Sequence, residues 1–435
     1  MNNYPKILLA FYGDDLTGST DALEFICRAG LKTFLFLEPP TIEQLHAYPG
    51  LQAYGVAGLT RSLSPAQMEK ELIPAFQMIK KTGARHVHYK VCSTFDSSPE
   101  IGSIGKAIDC GLEIFQNDFV PVLGGMPALG RYCAFGNLFA RMGIASNGEI
   151  YRLDRHPSMR KHPVTPADES DLRIHLTKQT KKKIGLINLI QIERDVESWN
   201  DVIQHDEELV LLDVMDNEQL RKIGSWLDSQ CRNGKPLFSV GSSGIEMALG
   251  TYWNLEGEMQ AVSSWPNLNE VSPLLVVSGS CSPVTVCQIQ YAIKNGFEEV
   301  VLDSNKICEQ KIVEESTLRN VIQHLLSGKD LIVHTGKKKG DNLSSELLGK
   351  ALGMIAREAI SKAKVKRVVV AGGDTSSYAA REMGIEALEM IAPLIPGAPL
   401  CRAYAKNKDI NGMEINLKGG QVGAPDYFTK IKEGF

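Results

Sequence analysis

The chain has 435 residues, of which 43% are hydrophobic and 23% charged, and its formal net charge is −4. That length favours two domains, and the acidic balance argues against a nucleic-acid-binding protein, which usually has a basic face. No apolar run approaches the roughly 18 residues of a membrane span, and the N-terminus lacks a signal-peptide layout. Nine cysteines occur without CxxC spacing, so we expect a protein of the reducing cytoplasm with no membrane or nucleic-acid partner.

Short apolar runs alternate with amphipathic stretches along the first half of the chain, which is typical of α/β architecture. The first strand, KILLAFYG, precedes the helix TGSTDALEFICRAG, which we expect Thr17, Ser19 or Thr20 to cap and Gly30 to end. Further strands are predicted at KTFLFLE, LQAYGVAG, HVHYKVC, FVPVLGG, KKIGLINLI, LVLLDV and PLFSVGSSG. These elements predict a first domain over residues 1–253.

A polar stretch with two prolines and little periodicity, NLEGEMQAVSSWPNLNEVSP, predicts a linker over residues 254–273. The alternation then starts again, with a helix at VTVCQIQYAIKNG, another ending at Gly384, and strands at PLLVVSGSCS, EEVVLD, DLIVHTG and VKRVVVAGGDTSS. We therefore expect a second α/β domain over residues 274–435, and the fold class is two α/β domains.

Asp14 and Asp15 stand side by side where the first strand meets the first helix. This junction lies at the carboxyl end of the sheet, where α/β folds bind ligands. Because successive strand residues point to opposite faces, one aspartate can orient a substrate hydroxyl or a metal while the other accepts a proton. The structural alternative is that Asp15 or Thr17 only caps the helix.

A second polar cluster follows the strand HVHYKVC, in the stretch YKVCSTFDSS. Lys90 suits a carboxylate, and Ser93, Thr94 and Asp96 suit the hydroxyl groups of a polyhydroxylated anion. The alternative is an Asx or Ser/Thr turn. Arg61, after another strand, is a candidate second clamp for a carboxylate.

A proline-rich loop, LDRHPSMRKHPVTPADESDL, carries His156, His162 and three lysine or arginine residues. It is suited to closing over an anionic substrate. A zinc site is disfavoured, because the two histidines lack a set of further ligands nearby.

The second half contains three glycine-bearing loops: SGSCSPVTVCQ at 278–288, AGGDTSS at 371–377 and KGGQVGAPDYF at 418–428. The first two follow apolar strands and precede helices, so their backbone amides form a seat for phosphate. None matches the Walker or dinucleotide-binding patterns, and each alone is equally consistent with a packing turn. Together they predict a nucleotide or phosphate ligand.

The first half thus has groups that suit a polar anion, and the second half has loops that suit phosphate. This combination fits phosphoryl transfer, in which catalysis consists mainly of positioning and charge neutralisation. One aspartate of the pair would take the proton of the substrate hydroxyl, and Mg²⁺ would accompany the nucleotide.

Six motifs in order resemble the four-carbon acid sugar kinases, long catalogued as a domain of unknown function. They are DDLTG at 14–18, KVCSTFDS at 90–97, HPVTP at 162–166, SGSCSPVTVCQI at 278–289, AGGDTS at 371–376 and the terminal KGGQVGAPDYF. The resemblance spans essentially the whole chain. It implies an ATP-dependent kinase with an acid-sugar-binding N-terminal domain and an ATP-binding C-terminal domain. Members phosphorylate threonate, erythronate, 3-oxo-tetronates and the branched 3-oxo-isoapionate.

The resemblance also implies site residues. The acid sugar should contact Asp14, Asp15, Arg61, Lys90 and the cluster of Ser93, Thr94 and Asp96. ATP should contact Ser280, Ser282, Gly372, Gly373, Asp374, Thr375 and Gly420. We favour Asp15 over Asp14 as the base, although the sequence does not separate them.

This chain departs from the family pattern chiefly on the acid-sugar side. The usual GNIG is GSIG at 102–105, HPLTPM is HPVTPA, and the last loop is GGQVG where SGNFG is commoner. A branched or oxidised acid is therefore as plausible as a straight one. Two other classes stay open: a nucleotide-independent aldolase or epimerase using Lys90, and a non-catalytic sensor of nucleotide or sugar acid. A homodimer is one expected assembly of this protein.

Overall fold

A computed structural model describes residues 6–142, 148–162, 164–231, 235–311, 313–336 and 344–434. The described residues fall into two compact units, one within Met1–Phe34 and Glu38–Val262, the other within Leu35–Leu37 and Ser263–Phe435. The predicted division, with domains over 1–253 and 274–435 and a linker over 254–273, stays a prediction. Its contiguous domains do not anticipate that residues 35–37 belong with the second unit.

The strands of the two units are numbered in chain order. They are Leu9–Gly13 (β1), Thr33–Phe36 (β2), Ala53–Ala57 (β3), His86–Lys90 (β4), Val120–Leu123 (β5), Arg131–Ala134 (β6), Asn137–Arg141 (β7), Ile150–Arg152 (β8), Ile184–Ile187 (β9), Leu209–Leu212 (β10), Leu237–Gly241 (β11), Leu274–Ser278 (β12), Glu298–Val301 (β13), Leu331–His334 (β14), Arg367–Ala371 (β15), Ile385–Ile395 (β16), Ala398–Ala405 (β17) and Glu414–Lys418 (β18).

The α-helices are numbered in the same way. They are Leu16–Arg28 (α1), Ile42–His46 (α2), Pro65–Lys81 (α3), Ile104–Phe115 (α4), Leu172–Thr177 (α5), Leu189–Ile192 (α6), Asn217–Ser229 (α7), Gly244–Leu255 (α8), Pro283–Lys294 (α9), Ser304–Gln310 (α10), Glu315–Leu326 (α11), Ser345–Ala363 (α12), Gly373–Glu382 (α13) and Tyr427–Glu433 (α14). Short 3-10 helices lie at Thr60–Ser62, Pro127–Leu129, Leu153–Arg155, Met159–Lys161 and Val196–Asp201.

The first unit is built on parallel strands in the order β3-β1-β4-β11-β5-β10-β9. Every residue of β1, β3, β4 and β11 is buried. Burial on both faces explains the largely apolar sequences of β1, β3 and β11, whereas β4 also buries His86, His88 and Lys90. The next two strands of this parallel set along the chain, β3 and β4, lie on opposite sides of β1. The chain order therefore reverses at β1, and ligands of such sheets bind at the carboxyl ends beside this point.

A core cluster of the first unit contains three fully buried tryptophans, and two of them, Trp199 and Trp226, have ring centroids 6.1 Å apart. A separate antiparallel sheet, β6-β7-β8, follows β5. No pattern in the sequence predicted it. An isolated bridge between Cys133 of β6 and Val214 joins it to the chain just after β10.

The second unit has parallel strands in the order β13-β14-β12-β15-β18, continued by the antiparallel strands β17 and β16. Leu35 and Phe36 pair antiparallel with β16. The predicted class of two α/β domains is confirmed, although the long β16–β17 hairpin was not predicted. Among the described residues, no helix combines the length and the apolar character needed to span a membrane.

Candidate active site

The aspartate pair lies where the fold places ligands, at the carboxyl end of β1. Asp14 donates its backbone N–H to the carbonyl of Lys90 at 2.9 Å, which ties the ends of β1 and β4 together. Asp15 is the N-cap of α1 and accepts from Gly18 N and Thr17 Oγ1, both at 2.7 Å. The capping alternative thus holds for Asp15, whereas the expected caps at Thr17, Ser19 or Thr20 were wrong because α1 already begins at Leu16 and includes all three residues.

Arg61 joins both aspartates from the 3-10 helix after β3. Its Nε and Nη2 donate to Asp14 at 3.1 and 2.8 Å, and its Nη1 and Nη2 donate to Asp15 at 2.9 Å each. Four of the five guanidinium N–H groups are therefore used on the protein's own carboxylates. Both aspartates are almost fully buried, and burial raises the pKa of Asp14 although Arg61 acts in the opposite direction.

Lys90 lies beside this cluster, with only 1% of its surface exposed. Its Nζ donates to the carbonyl of Val91 at 2.9 Å and lies 3.5 Å from Asp21 Oδ2. Burial by itself lowers the pKa of Lys90, but the charges of Asp21 and Asp14 raise it above its usual value. Lys90 is thus a fixed cation among carboxylates.

Glycine at position 18 is what allows the groups to come so close. A Cβ atom added to Gly18 would lie 2.6 Å from Asp15 Oδ1, 3.4 Å from Lys90 Nζ and 3.5 Å from Arg61 Nη2. The structure therefore brings Asp14, Asp15, Arg61 and Lys90 together, as expected from the resemblance.

The loop after β4 holds the other predicted contacts of the acid sugar. Thr94 Oγ1 donates to Asp96 Oδ1 at 2.8 Å, and Ser93 and Thr94 are more than nine-tenths buried. Phe95 has a φ of 52°, a left-handed conformation that turns the chain sharply. Ser97 Oγ donates to the carbonyl of Phe95 at 3.0 Å. The Ser/Thr-turn alternative describes the end of the stretch, because Ser98 Oγ accepts from the backbone N–H groups of Glu100 and Ile101 at 3.2 and 3.0 Å.

Sequence reasoning missed a buried network behind Lys90. Asp21 of α1 accepts from Ser243 Oγ at 2.5 Å, and its other oxygen, Oδ1, is buried with no partner among the described residues. Glu246 of α8 and His88 of β4, both fully buried, meet at 2.6 Å. The GSSG turn after β11 was the one sequence feature that could have indicated this network. Asp21 and Glu246 themselves gave no signal, because a buried acid inside an amphipathic helix has no local signature.

The two histidines of the proline-rich loop bind their own backbone. His156 Nδ1 accepts from Ser158 N at 3.2 Å, and His162 Nδ1 accepts from Thr165 N at 3.1 Å. Pro163, within the HPVTP motif, lies outside the described residues. The part of the chain that the structure describes contains no group of three or more histidine, cysteine, aspartate or glutamate side chains placed to hold a metal.

In the second unit, two of the glycine loops meet at the carboxyl ends of β12 and β15. Cβ atoms added to Gly279 and Gly372 would lie 2.5 and 2.2 Å from the side chain of Thr375. Gly372 has a φ of 138°, which side chains rarely adopt, and it starts α13 without a side-chain cap. The first N–H groups of α13 therefore lack the cap that Ser, Thr or Asp usually provides, and such a terminus favours anions.

The third loop joins them from the end of β18. A Cβ atom at Gly420 would lie 3.0 Å from Ser280 Oγ and 3.2 Å from Ser282 Cβ. Gly373 has nothing within 4 Å of a Cβ position, and Asp374 beside it is exposed. The predicted nucleotide residues thus converge: Ser280, Ser282, Gly372, Gly373, Asp374, Thr375 and Gly420.

Sequence reasoning also missed Lys418, the last residue of β18, which is fully buried. Its Nζ donates to Thr285 Oγ1 at 3.1 Å, and Thr285 donates in turn to the carbonyl of Gly420 at 3.0 Å. Burial lowers the pKa of Lys418 to about 7. The amine of Lys418 therefore supports the third glycine loop through the hydroxyl group of Thr285.

Two family models match these two units of the chain. A sugar-binding N-terminal domain matches residues 9–249, and a nucleotide-binding C-terminal domain matches residues 275–428. The chain therefore belongs to the four-carbon acid sugar kinase family, which confirms the resemblance seen in the motifs.

The chain is similar to curated kinases over its whole length. A 3-oxo-isoapionate kinase of Paraburkholderia graminis is 40% identical over 98% of this chain and 94% of its own. A 3-oxo-tetronate kinase of Pseudomonas savastanoi pv. phaseolicola is 26% identical over 98% of this chain and 97% of its own. A crystal structure from Salmonella typhimurium LT2, described as a putative tRNA synthase, has a TM-score of 0.74 at 23% identity and covers 98% of each chain. That last likeness shows the fold alone.

Proposed function

We propose that this protein is an ATP-dependent kinase that phosphorylates a hydroxyl group of a small acid sugar in carbohydrate catabolism. The observation that carries the proposal is the 40% identity, over 98% of this chain, to a 3-oxo-isoapionate kinase. The 3-oxo-tetronate kinases are more distant, at 25–26% identity. A branched 3-oxo acid is therefore the first substrate to test.

The proposal places the acid sugar in the first unit, against Asp14, Arg61, Lys90 and the loop of Ser93, Thr94 and Asp96. The two hydroxyl groups and the one carboxylate of that loop suit sugar hydroxyls, and the partly buried Arg61 and the buried Lys90 suit a small polar anion. A phosphoryl acceptor of this kind must lose a proton to a positioned base.

Of the two aspartates, Asp14 is the better placed base. Asp15 already accepts four hydrogen bonds, from Gly18, Thr17 and two from Arg61, so its oxygens are occupied. Among the described residues, the Asp14 carboxylate accepts from Arg61 alone, and burial raises its pKa, which makes it a stronger proton acceptor when ionised. We propose Asp14 as the base; the sequence-based preference for Asp15 stays a prediction.

In the second unit the proposal places ATP against the three converging loops. Support comes from the uncapped start of α13 and from glycines that leave the backbone accessible at positions 373 and 420. Mg²⁺ usually binds ATP phosphates with one or two protein carboxylates, and the exposed Asp374 is a carboxylate beside these loops. When bound, Mg²⁺ would neutralise phosphate charge. A homodimer and a cytoplasmic location stay predictions.

The aldolase alternative requires Lys90 to react as a neutral amine. The charges of Asp21 and Asp14 instead raise the pKa of Lys90, which favours the ammonium form. A charged lysine suits anion binding and does not suit Schiff-base formation.

The test is ADP release from Mg·ATP in the presence of a panel of four- and five-carbon acids that includes 3-oxo-isoapionate and a 3-oxo-tetronate. Release with one acid is the expected result. ATP binding without turnover of any acid would favour the sensor alternative, and absence of ATP binding would overturn the proposal.

Two variants separate the aspartates. Asp14→Asn should lower kcat by about 10²–10⁴-fold, the range for loss of a general base, while acid and ATP still bind. Asp15→Asn should act mainly through α1 and the position of Arg61, so its loss of kcat should be smaller. Asp118→Asn, an exposed carboxylate of the same unit, is the control. An active D14N enzyme and an inactive D15N enzyme would restore Asp15 as the base.

A further inference from the structure

Arg131 lies beside the carboxyl end of β5, although no motif singled it out. It exchanges two backbone hydrogen bonds with Met126, at 2.9 and 3.1 Å. Because β5 is parallel to β4 and β11 in one sheet, its carboxyl end lies on the same edge as the aspartate pair. A Cβ atom added to Gly124, just after β5, would lie 3.2 Å from the ring of Phe95. Arg131 thus follows a strand end that touches the loop of Ser93–Asp96.

The guanidinium group of Arg131 is held in place without a counter-ion. Its Nη1 donates to three backbone carbonyls, those of Leu129 at 3.0 Å, Arg141 at 3.2 Å and Gly130 at 3.4 Å. The residue is only 7% exposed, and its Nε is buried and has no hydrogen-bond partner in the part of the chain that the structure describes. Within the described ranges, no carboxylate lies within salt-bridge distance of it. A buried cation that is oriented but uncompensated is costly, unless an anion completes it.

Electrostatic effects show that Arg131 lies near the groups of the acid-sugar site. Burial lowers the pKa of Arg131, whereas Cys92, Asp96 and Asp21, which lie in or next to the acid-sugar site, act in the opposite direction. Its positive charge also helps to lower the pKa of His156, after the effect of burial. Arg131 is therefore close enough to interact electrostatically with the site without being paired to any of its carboxylates.

The other two cations of the site are already engaged. Arg61 uses four N–H groups on Asp14 and Asp15, and Lys90 donates to the carbonyl of Val91 and lies beside Asp21. We propose that Arg131 binds the carboxylate of the acid sugar, an inference that rests on the proposed function. The planar guanidinium group can donate two parallel hydrogen bonds to a carboxylate. Because a bound carboxylate would neutralise the buried charge of Arg131 and a neutral sugar would not, the site should favour acids over neutral sugars.

The test compares two ligands on three proteins by calorimetry without ATP. The ligands are 3-oxo-isoapionate, or the acid of the panel that the wild type binds most tightly, and the analogue in which CH₂OH replaces the carboxylate. The proteins are the wild type, Arg131→Gln and Arg152→Gln. Arg152 is a half-exposed arginine of β8 paired with Asp154, so it serves as the matched control.

The wild type and R152Q should prefer the acid over the neutral analogue by about 100-fold, as expected for one desolvated charged pair, and R131Q should lose that preference. In turnover, R131Q should raise KM for the acid by a similar factor and change kcat by less than about threefold, because the contact is made in the ground state as well. Arg131→Lys keeps the positive charge but not the planar guanidinium group, so its affinity for the acid should be about tenfold lower than that of the wild type. It also keeps the test valid if R131Q folds poorly.

Equal preference for the acid in the wild type and R131Q would overturn the inference while leaving the kinase intact. A loss of ATP affinity in R131Q, with acid binding unchanged, would overturn it as well and assign Arg131 to phosphate. If the wild type binds no acid of the panel, the proposed function fails and this inference fails with it.

Discussion

Replacing Lys418 by Met should stabilise the second unit, and more so at pH 7 than at pH 9. Lys418 is fully buried, its amine has Thr285 Oγ1 as partner, and the amine lies 5.5 Å from the centre of the Tyr427 ring. Within the described ranges, no carboxylate forms a salt bridge with it. Burial therefore lowers its pKa from 10.5 to about 7.

The sign follows from proton binding. Between pH 7 and 10.5 the unfolded chain binds more protons at this residue than the folded protein, so the free energy of unfolding rises with pH in that window. Below pH 7 both states are protonated, and the destabilisation caused by Lys418 reaches its full size. Above pH 10.5 neither state is protonated, and the destabilisation vanishes. Its size is about 4 kcal/mol at pH 7 and about 2 kcal/mol at pH 9. Met removes this cost, and the lost hydrogen bond to Thr285 subtracts about 1 kcal/mol at either pH.

Urea unfolding at the two pH values measures the effect, and the transition that shifts identifies the second unit. The gain in free energy of unfolding should be about 2 kcal/mol larger at pH 7 than at pH 9. Lys406→Met, at an exposed position of the same unit, is the control and should show no such difference. A gain that is equal at both pH values would mean that Lys418 is charged throughout, and the reasoning from burial would be refuted.

Two glycine variants should separate the binding sites. Gly18→Ala puts a methyl group 2.6 Å from Asp15 Oδ1, so acid affinity by calorimetry should fall by at least about tenfold with ATP affinity unchanged. Gly372→Ala combines a φ of 138° with a 2.2 Å approach to Thr375 Oγ1, so ATP affinity should fall by at least about tenfold with acid affinity unchanged. Each variant is the control for the other, and a matching loss of both ligands in either one would contradict the assignment.

Much of the fold could be predicted because local pattern decides it. A strand such as LVLLDV is apolar at successive positions, and the structure buries all four residues of β10. The β16–β17 hairpin was missed because its pairing is antiparallel and has several register shifts, which depend on contacts rather than on a local motif. The strand over residues 35–37 was predicted, but its pairing with the second unit was not, since a strand has the same sequence pattern whichever unit it pairs with.

The candidate site divides in the same way. Asp14 and Asp15 could be placed from sequence because a strand-to-helix junction is local. Arg61 was a weak candidate, because its contact with them spans 46 and 47 residues and depends on β3 lying beside β1. Asp21 and Glu246 stand on helices whose patterns are those of ordinary amphipathic helices, so only the fold shows that they are buried.

Buried charge distinguishes the two units and supports the assignment of their ligands. The first unit buries Asp14, Asp15, Asp21 and Glu246 close to its cations, and four carboxylates would repel the polyphosphate of a nucleotide. A small acid with one carboxylate and several hydroxyls meets less repulsion and finds hydrogen-bond acceptors for those hydroxyls. The glycine loops of the second unit offer backbone N–H groups, and the buried amine of Lys418 supports one of them through Thr285. Asp374, the carboxylate within the loop 371–377, is exposed. A polyanion is therefore expected at the second unit and an acid sugar at the first.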